Sequence, residues 1–399
     1  MNTNTIVILN HHASINKYGS RGRHYLIARD LSKMGYDVKL IASSFNHSTK
    51  KYIHNDKLRK DYVNNLFNFI SIKTLPRYKN DLGRLINYFH YVYKTINLKF
   101  YQSPDVIVGS SVHPFCWISA YQLSKKYNSK FVIEIRDIWP LSIYEDVPKL
   151  MWPFINISIK FLERRYYNKA DSIIVTAPKA DKYLLDNFNV DQDKIHYVPH
   201  GINIEEFDNN NKIFVRKLPD KFNITYIGSL SKSEGLENLL DLAKQLRNNK
   251  EININIFGDG TEKGKLENII KSNNLINVKL YGAIDSKYVP NILSNSDILW
   301  CGLKEREVFK YGISKNKFFD YLAAAKPIIF HSNVKYTPID NIQSVHKIPL
   351  NKSSKEEVLE LYNLSKTERI KLGNIGRKVL ETNFTSLVIS EKYFNSFNL

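Results

Sequence analysis

The stretch NITYIGSLSKSEGLENLLDLAKQLRNNKEININIFGDG, residues 223–260, decides the fold. It reads as a strand ending in Gly228-Ser229-Leu230, a helix opening near Glu234-Gly235-Leu236, and a second strand ending in Gly258-Asp259-Gly260. Nearly continuous apolar strands separated by amphipathic helices predict a parallel sheet covered on both faces. The alternation runs on through NVKLYGA, DILWCGL and KPIIFHS.

Upstream, a first series of β-branched runs spans 6–9, 38–42, 69–75, 106–108, 131–135 and 173–175. Helical segments lie between most of them. RHYLIARDLSKMG sets Leu26, Ala28, Leu31 and Met34 near helical spacing, and RLINYFHYVYKTI places Leu85, Phe89, Val92 and Ile96 on one stripe. The polar run 208–212 is the linker candidate. The chain is therefore expected to be α/β, with two doubly wound domains facing a cleft, residues 1–207 and 208–383. Ligands in such sheets bind outside the carboxyl ends of the strands, which directs attention to the loops there.

With 399 residues, each domain has enough chain for a core of its own. Cys116 and Cys301 lie in apolar runs and are expected to be buried thiols. The start MNTNTIVILNHH lacks a signal-peptide pattern, and no apolar run of membrane-spanning length occurs, so a cytoplasmic protein is expected. The net charge of +19 favours anionic partners. Residues 1–200 hold 29 basic and 16 acidic side chains; 51–100 alone hold ten basic and three acidic, with ten Tyr or Phe. That mixture suits an anionic membrane surface, although a solvated face over core aromatics explains it equally. A nucleic-acid-binding protein would explain the charge but not strand-end glycines in both domains, and no such motif is present.

Glycines at strand ends followed by helix N-termini allow backbone N–H groups to approach a phosphate, although tight turns use the same residues. The segment 304–330 is more informative. It gathers Lys304, Arg306, Lys310, Lys315 and Lys317 around a helix start at Asn316, with Gly312 and Ser314 just before it. Cations avoid helix N-termini, so their concentration there argues for a bound diphosphate. Asp320, one turn on, is placed to accept from ribose hydroxyls.

In the first half, three strand-end loops carry candidates. They are Asn10-His11-His12 leading to Gly19-Ser20-Arg21, the run Ser110 to Pro114 with His113, and Arg136-Asp137 before Trp139-Pro140. His12, Gly19, Ser20, Arg21 and Arg136 are candidates for the acceptor; His113 and Asp137 are candidates for orienting the reacting groups. An ion pair or helix cap is the competing reading of Asp137. No His, Cys, Asp or Glu cluster has metal-ligand spacing, and neither a nucleophile elbow nor a Walker loop occurs.

The pieces SSVHPF, FVIEIRDIWPLS, FLERRYYNKADSIIV, YVPHGINIEEF, YIGSLSKSEGLENLL, IFGDGTEKGKLE and YGISKNKFFDYLAAAKPII follow one another along most of the chain. Together they resemble the retaining GT-B-fold glycosyltransferases of the family-four type, in particular the bacterial branch that builds O-antigen and capsular polysaccharides, fucosamine-transferase-like members included. The resemblance implies two Rossmann-like domains, the second gripping a nucleotide diphosphate sugar and the first the acceptor, with 384–399 a helix crossing back to the first. It also implies metal-independent transfer with retention and no cofactor, the nucleotide sugar being a substrate. The donor loop falls on Gly228 to Gly235, with Ser229 and Glu234 where many relatives carry Arg and Lys. Lys232, Arg306 or Lys317 must then meet the phosphates, with Gly258, Gly260 and Tyr311-Gly312-Ile313-Ser314 lining the donor. A pair of glutamates eight positions apart falls on Gly312 and Asp320, so the first carboxylate is missing.

The expected function is thus transfer of a sugar, from a UDP-sugar or a GDP-sugar, to a polyprenyl-diphosphate-linked or polymeric glycan acceptor at the inner membrane face. Lys317 would neutralise the leaving phosphate. A nucleotide-sugar epimerase or hydrolase is the rival among enzymes.

Overall fold

A computed structural model of the chain describes residues 4–15, 22–46, 50–76, 82–111, 113–144 and 147–399. Two compact units result, one of residues 1–199 and 386–399, the other of 200–385.

The first unit begins β1 Thr5–Leu9, α1 Arg23–Lys33, β2 Asp37–Ser43, the short pair β3 Phe45–Asn46 and β4 Lys51–Tyr52, β5 Leu58–Val63 and β6 Phe67–Ile72. It continues α2 Leu82–Ile96, β7 Val106–Ser110, α3 Cys116–Tyr127, β8 Lys130–Ile135, α4 Trp152–Tyr167, β9 Ser172–Val175, α5 Ala180–Asn187 and β10 Ile195–Tyr197. Its sheet runs β10-β9-β8-β7-β1-β2-β6-β5, with only β5 antiparallel, on the edge. β1, whose sequence TIVIL is buried throughout, pairs Ile6 with Val106 on one side and with Val38 on the other. The strand order therefore reverses between β1 and β7, the point beyond whose strand ends open α/β sheets bind their ligands.

The second unit contains α6 Ile204–Asn211, β11 Phe222–Ile227, α7 Leu236–Gln245, β12 Ile252–Phe257, α8 Lys263–Ser272, β13 Val278–Gly282 and α9 Val289–Ser294. β14 Ile298–Gly302, α10 Asn316–Ala323, β15 Ile328–His331, β16 Val345–Ile348, α11 Lys355–Asn363 and α12 Lys366–Asn383 complete it. All six strands are parallel in the order β13-β12-β11-β14-β15-β16, and the reversal lies between β11 and β14. The leucines of α7 cover Ile224, Ile254 and Ile256 in its core. On the strands, Asn255 sits between Asn253 and Asn223 in a chain of 2.9 Å hydrogen bonds, so these buried amides satisfy one another.

Several expectations need correction. The run 208–212 is not a linker: 208–211 are the end of α6, where Asp208 accepts from Arg377 on α12. The expected boundary after 207 therefore falls inside a helix, and the units part at 199/200. The expected strand 69–75 is β6, two residues earlier in its start and paired with the unforeseen β5. On α2 the buried stripe is Tyr88, Tyr91, Val92 and Thr95, whereas Leu85 and Phe89 are exposed. On α1 the buried face includes Tyr25, Ile27, Ala28 and Leu31, leaving Leu26 and Met34 half-buried. Cys116 and Cys301 are buried free thiols.

Residues 386–395 form a last helix, α13 Ser386–Asn395, within the first unit. It packs on α1 with Tyr393 buried, Phe394 stacked on Tyr36 at 4.2 Å, and Ser386 accepting from Arg29 at 2.9 Å.

Candidate functional site

In the second unit the strand-order reversal brings together the loops after β11 and β14 and the start of α10. Gly228 opens the first loop with φ +158, and a Cβ there would lie 2.9 Å from Lys317 Nζ. Lys317 donates to the Tyr226 hydroxyl at 3.2 Å with its ammonium 4.4 Å from the ring centroid, and Tyr226 in turn donates to the Ser229 carbonyl at 2.6 Å. One strand-end residue, one aromatic and one lysine thus fix the loop conformation together. Lys304, after β14, donates its backbone N–H to Ser233 and ties the two loops.

The lysines are not awaiting a counter-ion. Glu234 Oε1 accepts from Lys315 and Oε2 from Lys317, each at 2.5 Å. Glu237 accepts from Lys304 at 3.0 Å and from Lys265 at 2.8 Å, and Glu307 from Lys310 at 3.3 Å. The cation cluster expected to need a bound anion is therefore neutralised largely by carboxylates of the chain itself. Periodicity could not show this, because Glu234 lies 81 and 83 residues from Lys315 and Lys317, and Glu237 lies 67 from Lys304. Burial pushes the Glu234 carboxyl up, but Lys317 and Lys315 outweigh it and hold it below the usual range. On Lys317 burial opposes charge, while the Cys301 sulfur and Glu234 hold its pKa above the usual lysine value. Asp320, half-buried behind Lys317, is pushed by burial up to about 7.

The other donor candidates fall around this cradle. Ser229 and Lys232 are exposed. Arg306 lies over the Phe309 ring, Tyr311 is buried under Lys310, and Gly312 has φ 83. Ile313 donates its N–H to the Tyr336 carbonyl, and Ser314 Oγ accepts from the His200 N–H at 3.5 Å. Gly258 and Gly260 have a reason unconnected with ligands. A Cβ on Gly258 would meet the Gly228 carbonyl oxygen at 1.8 Å, and one on Gly260 the Leu230 carbonyl oxygen at 2.5 Å.

In the first unit the reversal between β1 and β7 carries the second group. Asn10 donates to Ser110 Oγ at 3.0 Å, and His11 Nδ1 lies 2.9 Å from His113 Nε2. His113 is fully buried, stacked on Tyr88 at 3.8 Å, while His11 stacks on Tyr91 at 4.2 Å and His12 is half-buried beside them. His113 therefore sits beneath the loop surface. Behind this layer Glu134 accepts from Arg23 at 2.7 Å and lies 2.6 Å from His24, whose Nε2 is also 2.9 Å from Ser110 Oγ. Burial pushes Glu134 up, but His24 and Arg23 hold it well below the carboxylate range. Arg23 also donates to the carbonyls of Val198 and Pro199. This network escaped the sequence reading; the one signal for it is an acid inside the apolar strand FVIEI.

Arg136 donates its backbone N–H to Ser111 Oγ at 3.1 Å, and among the described residues its Nε has no hydrogen-bond partner. Asp137 is exposed beside it. Gly19, Ser20 and Arg21 lie outside the described residues. Among the described residues no group of three His, Cys, Asp or Glu is placed to hold a metal ion.

Residues 24–206 match the model of Glycosyltransferase Family 4, and residues 208–314 that of Glycosyl transferases group 1. The second match ends at Ser314, just short of Lys315 and Lys317. No curated protein matches. Among solved structures, a glycosyltransferase from Rickettsia africae is 17% identical, with TM-score 0.69 over 100% of this chain and 98% of its own. Sucrose-phosphate synthase from Thermosynechococcus elongatus is 14% identical, with TM-score 0.75 over 99% and 98%. Anabaena HepE, solved with UDP-glucose, is 13% identical, with TM-score 0.67 over 99% of each chain. At these identities the likeness is one of fold.

Proposed function

We propose, from the premise that the chain is a glycosyltransferase of the GT-B type, that it moves a sugar from a nucleotide diphosphate donor, a UDP-sugar before a GDP-sugar, to a lipid-linked or polymeric glycan in bacterial surface polysaccharide synthesis. The observation that carries the donor reading is the cradle at the β11/β14 reversal. Lys315 and Lys317 stand at the N-terminus of α10, with Gly228 leaving room against Lys317. The complex of HepE with UDP-glucose supports uracil as the base.

In the transfer the acceptor hydroxyl oxygen bonds to the anomeric carbon as the bond from that carbon to the phosphate oxygen breaks. The electron pair stays on the leaving diphosphate, and the hydroxyl proton passes to a phosphate oxygen. Lys317 and the α10 N–H groups meet the charge that develops there, a contribution of several kcal/mol in comparable sites. Retention follows if the hydroxyl attacks from the side the phosphate leaves. Positive charge from lysines in this role makes a metal unnecessary, so turnover is expected to survive EDTA. Arg136 and His12 are proposed to receive the acceptor, with Asp137 orienting it and His113 acting from beneath the loop through its contact with His11.

An anionic membrane surface is proposed as the place of work. On α4, Phe154, Ile157 and Phe161 are 70%, 69% and 64% exposed on one face, with Lys160, Arg164 and Arg165 exposed beside them. Ile86, Phe89 and Tyr93 of α2 are exposed too, and α2 and α4 share the buried cluster of Tyr88, Trp139 and Ile159. Rings at the headgroup boundary with cations toward phosphates fit a peripheral attachment. No helix among the described residues is long and apolar enough to cross a membrane.

A panel of UDP-, GDP- and ADP-sugars in thermal-shift and transfer assays tests the donor reading. Stabilisation by one nucleotide class and release of its diphosphate only with a glycan acceptor are expected. Equal release without acceptor would make the protein a hydrolase.

A further inference from the structure

Glu234 occupies the floor of the donor cradle at 5% exposure, on the short turn Lys232–Glu234 that joins β11 to α7. Its two oxygens are divided between Lys315 and Lys317. An acid in this place is costly for a site that must take an anion, since like charges repel most strongly where water is excluded. The geometry nevertheless keeps it there. Gly235, in the left-handed region at φ 59, turns the chain directly into α7, and the Glu234 N–H is bonded to the Ser231 carbonyl.

Each ammonium has three N–H donors. Lys317 gives one to Glu234 and one to Tyr226, and Lys315 gives one to Glu234. Both retain a donor for an incoming phosphate, so Glu234 need not leave when the donor binds. The three charged groups then carry one net positive charge. In a nucleotide sugar each phosphate carries a single negative charge. After transfer the terminal phosphate is a monoester, and its second ionisation, with a pKa of about 6, adds another at neutral pH.

We propose that Glu234 limits the cradle to one net positive charge, so that the nucleotide diphosphate left by transfer, with its extra negative charge, is held far less tightly than two unpaired lysines would hold it. Glu234 is thus a specificity residue that acts by charge on the product more than on the substrate. The inference rests on the donor reading above and assigns the terminal phosphate to the Lys315 and Lys317 end of the site.

The test compares the dissociation constants of UDP and UDP-glucose by calorimetry for the wild type, Glu234→Gln and the double variant Glu234→Gln/Lys315→Gln. The single variant is expected to tighten UDP by about tenfold or more, and UDP-glucose clearly less, from the loss of one repulsive charge a few ångströms from the terminal phosphate. Product inhibition should deepen in step. The double variant restores the net charge and is expected to return the ratio of the two constants to that of the wild type, even though it restores no contact of Glu234. Equal changes for both ligands, or weaker binding of both with no recovery in the double variant, would reduce Glu234 to a structural brace and overturn the proposal. A wild type that binds UDP and UDP-glucose while Glu234→Gln leaves their ratio unchanged defeats this inference alone. A wild type that binds no nucleotide defeats the donor reading with it.

Discussion

Lys317 is the side chain on which most of the second unit's site converges, through Gly228, Tyr226, Glu234 and Asp320. Its replacement by alanine is expected to lower kcat at saturating donor by about 10²–10³-fold, as the loss of one donor to a developing charge does elsewhere; an unchanged kcat would remove it from the phosphate role. Asp320 carries a pH signature. Its carboxyl, near 3.8 when exposed, is raised by burial to about 7, so the folded state holds the proton more tightly than the unfolded chain. Stability from this group is full below pH 3.8 and is lost as pH rises towards 7. Asp320→Asn should therefore raise Tm at pH 8 and leave it nearly unchanged at pH 4, a contrast that scanning calorimetry resolves. The placement of Lys317 and Asp320 on one helix was legible in the sequence, from the helical run that follows Gly312 and Ser314. Glu234 as their counter-charge was not, because the pairing depends on which loops the strand order brings together. Glu134 was hidden likewise: three of its partners come from α1 and β7.

At the scale of elements, strands were the easier reading. β1, β7 and β14 are buried along their whole length, so a continuous apolar run is a faithful sign of them. Helix faces were harder. α2 has apolar residues around most of its circumference, and Tyr88 and Tyr91, the latter donating its hydroxyl to the Ile41 carbonyl, go inward while Leu85 and Phe89 stay outside. Periodicity alone ranks leucine and phenylalanine first and so picks the wrong stripe. The antiparallel β5 was missed because LRKDYV alternates exposed and half-buried positions on a sheet edge. The exposed ridge of α4 yields its own prediction. Replacing Phe154, Ile157 and Phe161 together by serine should cut sedimentation with anionic liposomes at least about tenfold, since each ring or chain buried at a bilayer boundary contributes on the order of 1.5 kcal/mol or more. Because none of the three is in the core, Tm should stay within a few degrees. Liposome binding unchanged by the triple variant would remove the membrane from the account of α4.

For the molecule as a whole, the two doubly wound sheets could be read from the restart of the strand pattern near residue 222, while the first point where the chain passes between the units, at 199/200, could not. It lies beside α6, whose Asn-rich sequence has the composition of a loop and is held helical by Asp208 pairing with Arg377 and by Phe207 in the core. Deleting residues 386–399 is expected to do more than shorten the chain. Ile389, Tyr393 and Phe397 are buried in the first unit, and removing large buried side chains costs about 3–5 kcal/mol apiece. That sum is comparable with the whole stability of a typical domain. The truncated protein should lose the cooperative melting of residues 1–199 and become sensitive there to limited proteolysis, while 200–385 stays resistant. Retention of two cooperative transitions would contradict this.

The same arrangement orders events during synthesis. Domains generally fold in the order they leave the ribosome. Here α1 waits for Tyr393 and Phe394, which are translated more than 350 residues after Tyr36, the ring that Phe394 stacks on. The unit of residues 200–385 can therefore close first, while the half made earlier stays unfinished and exposed to chaperones and proteases until residues 386–399 have emerged.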